Sequence, residues 1–225
     1  QYKNALQYNL LAYQTAILKN DTFSEGMIAH DVSIAYTKNN IADSAKQYAA
    51  LALKYGNSIQ HNFVISYAYK AFFEYYKSKN DWQNALTNAQ AALKYILKTS
   101  STYDAGFAYC NLAESYLKLH KNTDALTSIQ QAETQAKQVA SFQLNKRMYA
   151  LYKEIAAASG DYKNAYLYAQ LYQQNSDSVF FEKRNNTLNE LETKYQTAQK
   201  ETKIAQQQSE IQQSRTRLLI AALLF

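Results

Sequence analysis

Four alanines, Ala45, Ala85, Ala125 and Ala165, recur at a spacing of 40 residues. A fixed period of this length means one supersecondary unit stacked on copies of itself. The flanking segments align without gaps. Ser33-Ile34-Ala35-Tyr36, Phe73-Glu74-Tyr75-Tyr76, Ala113-Glu114-Ser115-Tyr116 and Lys153-Glu154-Ile155-Ala156 precede the four alanines at equal distances, and Ala52, Ala92, Ala132 and Tyr172 follow them seven residues later. Small residues held at one place in each unit mark a close crossing of two helices, because overpacking such a contact costs about 1–3 kcal/mol. The rest of the composition agrees. The 225 residues include no Pro and only 4 Gly, too few turn formers for a sheet protein of this size. The 21 Tyr suit half-wet seams between helices, with an apolar body and a polar tip.

The turns within units fit the same reading. Asn40, Asn80, His120 and Gly160 share one repeat position, and the residue after a helix is often left-handed, which Gly and Asn accept at low cost. Asp81 and Asp161 come next and can cap the following helix by accepting backbone N–H bonds.

These residues resemble tetratricopeptide repeats (TPRs), two-helix units with a Tyr late in the first helix and small residues in the second. Tyr36, Tyr76 and Tyr116 fill the first role, Ala156 departs from it, and the repeated alanines fill the others. The resemblance implies an all-α, right-handed superhelix of TPR-like helix pairs with a 40-residue period, followed by a long C-terminal helix. The common TPR period is about 34 residues, and the surplus lengthens the helices by about one and a half turns. The usual Pro at the end of the unit is missing. Tyr2-Lys3-Asn4-Ala5 copies Tyr162-Lys163-Asn164-Ala165, so residues 1–20 read as the second helix of a unit whose first helix is absent. Four units follow at about 21–58, 59–98, 99–140 and 141–176.

From residue 177 the repeat gives way to a linker or coiled-coil helix over 177–217, with Leu188, Leu191, Tyr195, Ala198, Ile204, Ile211 and Leu218 at heptad-like spacings. Gln206-Gln207-Gln208 and Gln212-Gln213 dilute that seam. This reads as a weak parallel coil, whose pairing implies a homodimer, or as a helix that packs partly on the last repeat. Residues 218–225 are apolar and read as the start of a truncated membrane helix, since a span needs about 20 such residues. The segment Leu191 to Glu201, then Arg215-Thr216-Arg217 and the apolar run, resembles the junction in membrane-anchored TPR sensors of Bacteroidetes-type bacteria. That resemblance implies periplasmic repeats, a membrane helix just after residue 217 and a cytoplasmic output. The output would be a two-component sensor histidine kinase, with a helix-turn-helix transcription regulator as the alternative. A soluble cytosolic TPR scaffold is the third reading. Arg215 and Arg217 on the outer side run against the usual cytoplasmic excess of Lys and Arg.

The chain carries a net charge of +6 but no basic run with interleaved aromatics, so nucleic-acid binding by this segment is not expected. His30, His61 and His120 fall in separate units, without a second ligand at metal spacing. No phosphate loop, nucleophile elbow or phosphoacceptor-His motif occurs. No metal, no cofactor and no catalysis are therefore expected of this segment. Cys110 is the single cysteine and reads as a small apolar residue.

The TPR resemblance implies a concave partner-binding groove lined by the first helices, suited to a peptide or protein ligand. Tyr67, Lys70, Glu74 and Lys77 share one face of a first helix. Their equivalents are Phe107, Cys110, Glu114 and Leu117 in the next unit, then Arg147, Ala150, Glu154 and Ala157, and in the preceding unit Met27, His30, Ile34 and Thr37. The alternative is that Lys70, Glu74 and Lys77 only pair with one another along their own helix. The carboxylate clamp of some TPR proteins uses Lys and Asn where this chain has His30 and Ile34, so that clamp is not expected.

Overall fold

The computed structural model describes residues 2–223. Among them all regular structure is helical: α1 (Tyr2–Leu18), α2 (Thr22–Lys38), α3 (Ala42–Ser58), α4 (Asn62–Ser78), α5 (Trp82–Ile96), α6 (Thr102–Lys118), α7 (Asn122–Ala136), α8 (Phe142–Ala158) and α9 (Tyr162–Leu223). First helices begin at Thr22, Asn62, Thr102 and Phe142 and second helices at Ala42, Trp82, Asn122 and Tyr162, so the alanine period is the period of the helix pairs.

The turns explain why the helices stop where they do. Asn20, Asn40, Gln60, Asn80 and His120 adopt φ between 52° and 60°, and Gly160 adopts 76°. The next residue then folds its N–H back onto a carbonyl five residues earlier. Ile41 bonds Tyr36, Asp81 bonds Tyr76, Lys121 bonds Tyr116 and Asp161 bonds Ala156, at 2.9–3.0 Å. This is the Schellman closure of a helix C-terminus. Asp81 and Asp161 then cap α5 and α9 by accepting from Asn84 N and Asn164 N, both at 3.1 Å. Asp21, Ser101 and Ser141 do the same for α2, α6 and α8. These five caps each satisfy an N–H that a helix start leaves without a partner.

The core follows the small residues. Ala45, Ala85 and Ala125 are fully buried, as are Ala49, Ala89, Ala52 and Ala132. The helices cross so closely there that the Ser33 hydroxyl donates to the Ala45 carbonyl at 2.7 Å. In the last pair tyrosines take over: Tyr168 of α9 stacks on Tyr152 of α8 at 4.7 Å between centroids, and the Tyr152 hydroxyl donates to Glu133 Oε2 at 2.7 Å.

Residues up to Ser176 form one compact unit, and those from Asp177 form a second. In the second, α9 continues with side chains exposed throughout 182–212, Leu188, Leu191, Tyr195, Ile204 and Ile211 among them. No helix among the described residues is long and apolar enough to cross a membrane. Leu224 and Phe225, and the side chains of 216–223, lie outside the described residues, and with them the apolar run read as the start of a membrane helix.

Candidate partner-binding groove

The first helices are set side by side by a row of small residues that the alanine ladder does not reveal. Gly26 and Gly106 stand two periods apart. A Cβ on Gly26 would come within 2.5 Å of Val64 Cγ1, and one on Gly106 within 2.7 Å of Leu144 Cδ2. Val64 and Leu144 themselves share a repeat position. Glycine therefore sets the approach of α2 to α4 and of α6 to α8. Between them the pattern breaks. The glycine position holds Ser66, which is buried and donates to the Ala92 carbonyl at 2.8 Å. The aliphatic position holds Asp104, which accepts from the Tyr67 hydroxyl at 2.7 Å and also bonds Ser101.

A second row carries charge. Glu74, Glu114 and Glu154 occupy one repeat position, and each meets a cation from the first helix of the preceding unit. Lys38 reaches Glu74 at 4.0 Å, Lys77 reaches Glu114 at 2.9 Å and Lys118 reaches Glu154 at 3.8 Å. Arg147 joins from α8 and bonds Glu114 as well. The pairing thus runs between units, and among the described residues no ion pair links Glu74 to Lys70 or Lys77 along α4. The Glu114 carboxylate is 13 % exposed, so its two partners act at lower dielectric than the outer pairs, which are near-surface contacts of small worth.

The expected site residues fall into three groups. Lys77, Glu114 and Arg147 form one cluster. Tyr67 and Lys70 form another, with the Lys70 ammonium 4.7 Å from the Tyr67 ring centre, a cation–π distance. Phe63 stacks on the same ring at 4.6 Å, and His30 meets it edge-on at 4.9 Å. Glu74 and Glu154 belong to the ladder. Phe107 is partly buried and tilts against Tyr103 at 5.0 Å. Cys110, expected to line the groove, is fully buried within the core cluster of α6, α7 and α8. Burial pushes its thiol up to about 12, which keeps it protonated and inert.

Electrostatics single out the Tyr67 corner. Burial lowers the pKa of Lys70, partly offset by Asp104, Glu74 and Asp31. Burial also lowers that of His30, against the opposing effect of its bond to Asp31. Desolvation raises the Tyr67 phenol, and its bond to Asp104 adds to that. Lys77 and Arg147 share one carboxylate, Glu114, while Lys70 feels Asp104, Glu74 and Asp31 without forming an ion pair among the described residues. Among the described residues no group of three or more His, Cys, Asp or Glu is arranged to hold a metal. His30 was expected only as the groove position equivalent to Lys70, and Phe63 and Asp104 were not expected at the site. Their signal was available in part, since Asp104 breaks an aliphatic register.

No family model matches the chain, and no curated protein matches it. Solved structures do. BtubC (BKLC) from P. vanneervenii superposes with a TM-score of 0.62 at 14% identity, over 74% of this chain and 71% of that one. The kinesin light chain nearly identical TPR-like repeats of Podosopora anserina superpose at 0.56 and 14% identity, over 80% and 89%. A point variant of those same repeats superposes at 0.55 and 13%, over 82% and 89%. The repeats are TPR-like. At such identities the likeness is one of fold alone, and it agrees with the helix-pair period, the glycine locks and the buried alanines.

Proposed function

We propose that the first-helix face of the repeats binds a peptide or protein segment and that the chain is the sensor region of a membrane-anchored signalling protein. In this reading the repeats are extracytoplasmic and bring no chemistry of their own. The distal part of α9 pairs with a second copy and carries the binding event toward a membrane helix and a cytoplasmic histidine kinase. The observation that carries the binding half is Lys70, a half-buried cation on an aromatic floor with no carboxylate within 4.0 Å among the described residues. An ammonium in such a place is stabilised by an acceptor brought from outside. The signalling half is supported by the resemblance of the 191–217 segment to sensor junctions and by the exposed apolar residues of α9. A ligand would act only through different affinities for two arrangements of that helix.

Random-peptide display on the whole chain tests the binding half. Selected peptides should lose binding on charge reversal at Lys70 and Arg147 and keep it on reversal at Lys19, which lies outside the first-helix face. Peptides indifferent to the first two reversals would show that the face is not used. For the signalling half, the parent gene beyond residue 225 decides. A completed membrane span followed by a kinase phosphoacceptor His fits the proposal. A span followed by a helix-turn-helix would make the protein a membrane-anchored transcription regulator, and neither would make it a soluble scaffold.

A further inference from the structure

Two polar groups beside Tyr67 lack a polar partner among the described residues, and they are of opposite kind. Lys70 is a donor. Its ammonium has the Tyr67 ring beneath it and neither an ion pair nor a hydrogen bond among the described residues. His30 supplies an acceptor. Its Nδ1–H donates to Asp31 Oδ1 at 3.0 Å, which leaves a lone pair on Nε2 of the neutral ring. His30 is 5 % exposed, and Nε2 is the one buried side-chain nitrogen or oxygen among the described residues with no partner. Such atoms are rare in folded proteins, because leaving one unmade is costly.

The pair discriminates among ligands. A carboxylate satisfies Lys70 but turns oxygen lone pairs toward the lone pair of His30. It also meets Asp31, Glu74 and Asp104, all close enough to act on Lys70. An ammonium or guanidinium satisfies His30 and repels Lys70. An amide offers a carbonyl to the one and an N–H to the other. In a backbone peptide unit these groups point to opposite sides of a trans bond, whereas a primary carboxamide presents them on the same side. Phe63 stacks on Tyr67 at 4.6 Å and Lys70 lies over it at 4.7 Å. An amide held by the Lys70 ammonium therefore lies beside that ring.

We infer that His30, Tyr67 and Lys70 form a carboxamide subsite that takes the side chain of an Asn or Gln from a bound peptide. The Lys70 ammonium donates to the amide oxygen and the amide N–H donates to His30 Nε2. Because His30 is nearly covered, the amide enters as the unclamped Lys70 stem or the Tyr67 ring turns aside. The inference rests on the groove reading and adds the ligand chemistry to it.

Acetamide and acetate are the probes, titrated in parallel into the whole isotope-labelled chain at pH 7, with NMR read at the His30 and Tyr67 rings. Acetamide should give a saturable shift at both rings and acetate should not. The Tyr67 response should vanish in Lys70→Met and in His30→Phe, and the first of these variants leaves the buried ring untouched. A flat His30 ring at molar acetamide, or an equal response to acetate, overturns the subsite. In display-selected peptides, exchange of the critical Gln for Glu should weaken binding at least about tenfold. Peptides that bind through Arg147 but tolerate that exchange would overturn the subsite and leave the groove standing. A saturable acetamide response alongside peptides indifferent to charge reversal on the face would remove the groove and leave the subsite.

Discussion

The repeats and the distal part of α9 are both helical, yet they are helical for different reasons. In α2 to α8 the apolar residues face neighbours, and Phe73, Ile96, Ile129 and Leu144 are buried to 1 % exposure or less. From Asp177 onward Leu188, Leu191 and Tyr195 are 53–64 % exposed. That segment is a helix through local propensity, rich in Gln, Glu, Lys and Ala and free of Gly and Pro, with i,i+4 contacts such as Gln199 to the Tyr195 hydroxyl at 2.7 Å. The repeats are a helix array through burial. Residue types that fix the structure in one region should therefore be nearly silent in the other.

Matched substitutions can break that comparison. The largest difference should come from deleting a leucine. Leu144→Ala should cost about 2–5 kcal/mol in urea unfolding, as buried leucines do. Leu188→Ala should stay within about 0.5 kcal/mol in the monomeric chain, the usual range for surface changes. A large loss at Leu188 that shrinks on dilution would sharpen the comparison differently, by showing that the distal helix is buried in a dimer. Next comes crowding. Ala85→Leu should cost about 1–3 kcal/mol, and Ala205→Leu, in the exposed segment, should be close to neutral in thermal unfolding.

Asparagine should change sign between regions. Asn80 sits at φ 56°, so Asn80→Ala should cost about 1 kcal/mol, since left-handed backbone is unfavourable for Ala. Asn189 sits in mid-helix, and Asn189→Ala should raise local helicity by a few tenths of a kcal/mol, read as slower amide exchange around it. Equal signs would mean that one of the two backbone assignments is wrong.

The smallest expected effect is in pH. Asp161 and Asp21 have pKa values lowered from 3.8, Asp161 chiefly by accepting from Asn164 N and Asp21 chiefly by its bonds to Ser24. A carboxyl depressed in the folded state stabilises fully above its unfolded value and loses that contribution as pH falls through the folded one. Thermal midpoints of the parent should therefore fall through that acid window. Asp161→Asn, which caps without titrating, should show a slightly shallower fall.

Helix number, period and turn positions were legible because each depends on one residue and its near neighbours: an alanine at a crossing, an Asn or Gly after a helix, an Asp before one. The groove was legible only as a set of positions. Spacing along α4 placed Glu74 within reach of Lys70 and Lys77, but inter-unit geometry gave it to Lys38, and that geometry is set by Gly26 and Gly106, which look incidental in the sequence. Cys110 shares a repeat position with His30 and Lys70, and nothing in its own segment shows that α7 and α8 close over it. The distal helix also carries a lesson in counting. Tyr195 and Ile204 are nine residues apart, about two and a half helical turns. Leu188, Leu191 and Tyr195 thus lie on nearly the opposite side of α9 from Ile204, and one straight two-stranded seam does not collect both sets.

The break at Ser66 and Asp104 bears on how such a chain could be cut and rejoined. Judged by alanines, any unit is an interchangeable brick. Judged by the glycine locks, the brick is two units long. Excising residues 61–140 would set Gly26 against Leu144, glycine against an aliphatic as before. Excising 61–100 alone would set Gly26 against Asp104, a carboxylate keyed to a tyrosine no longer present. A library of shortened or lengthened versions should yield folded protein in steps of two units and fail at the odd ones.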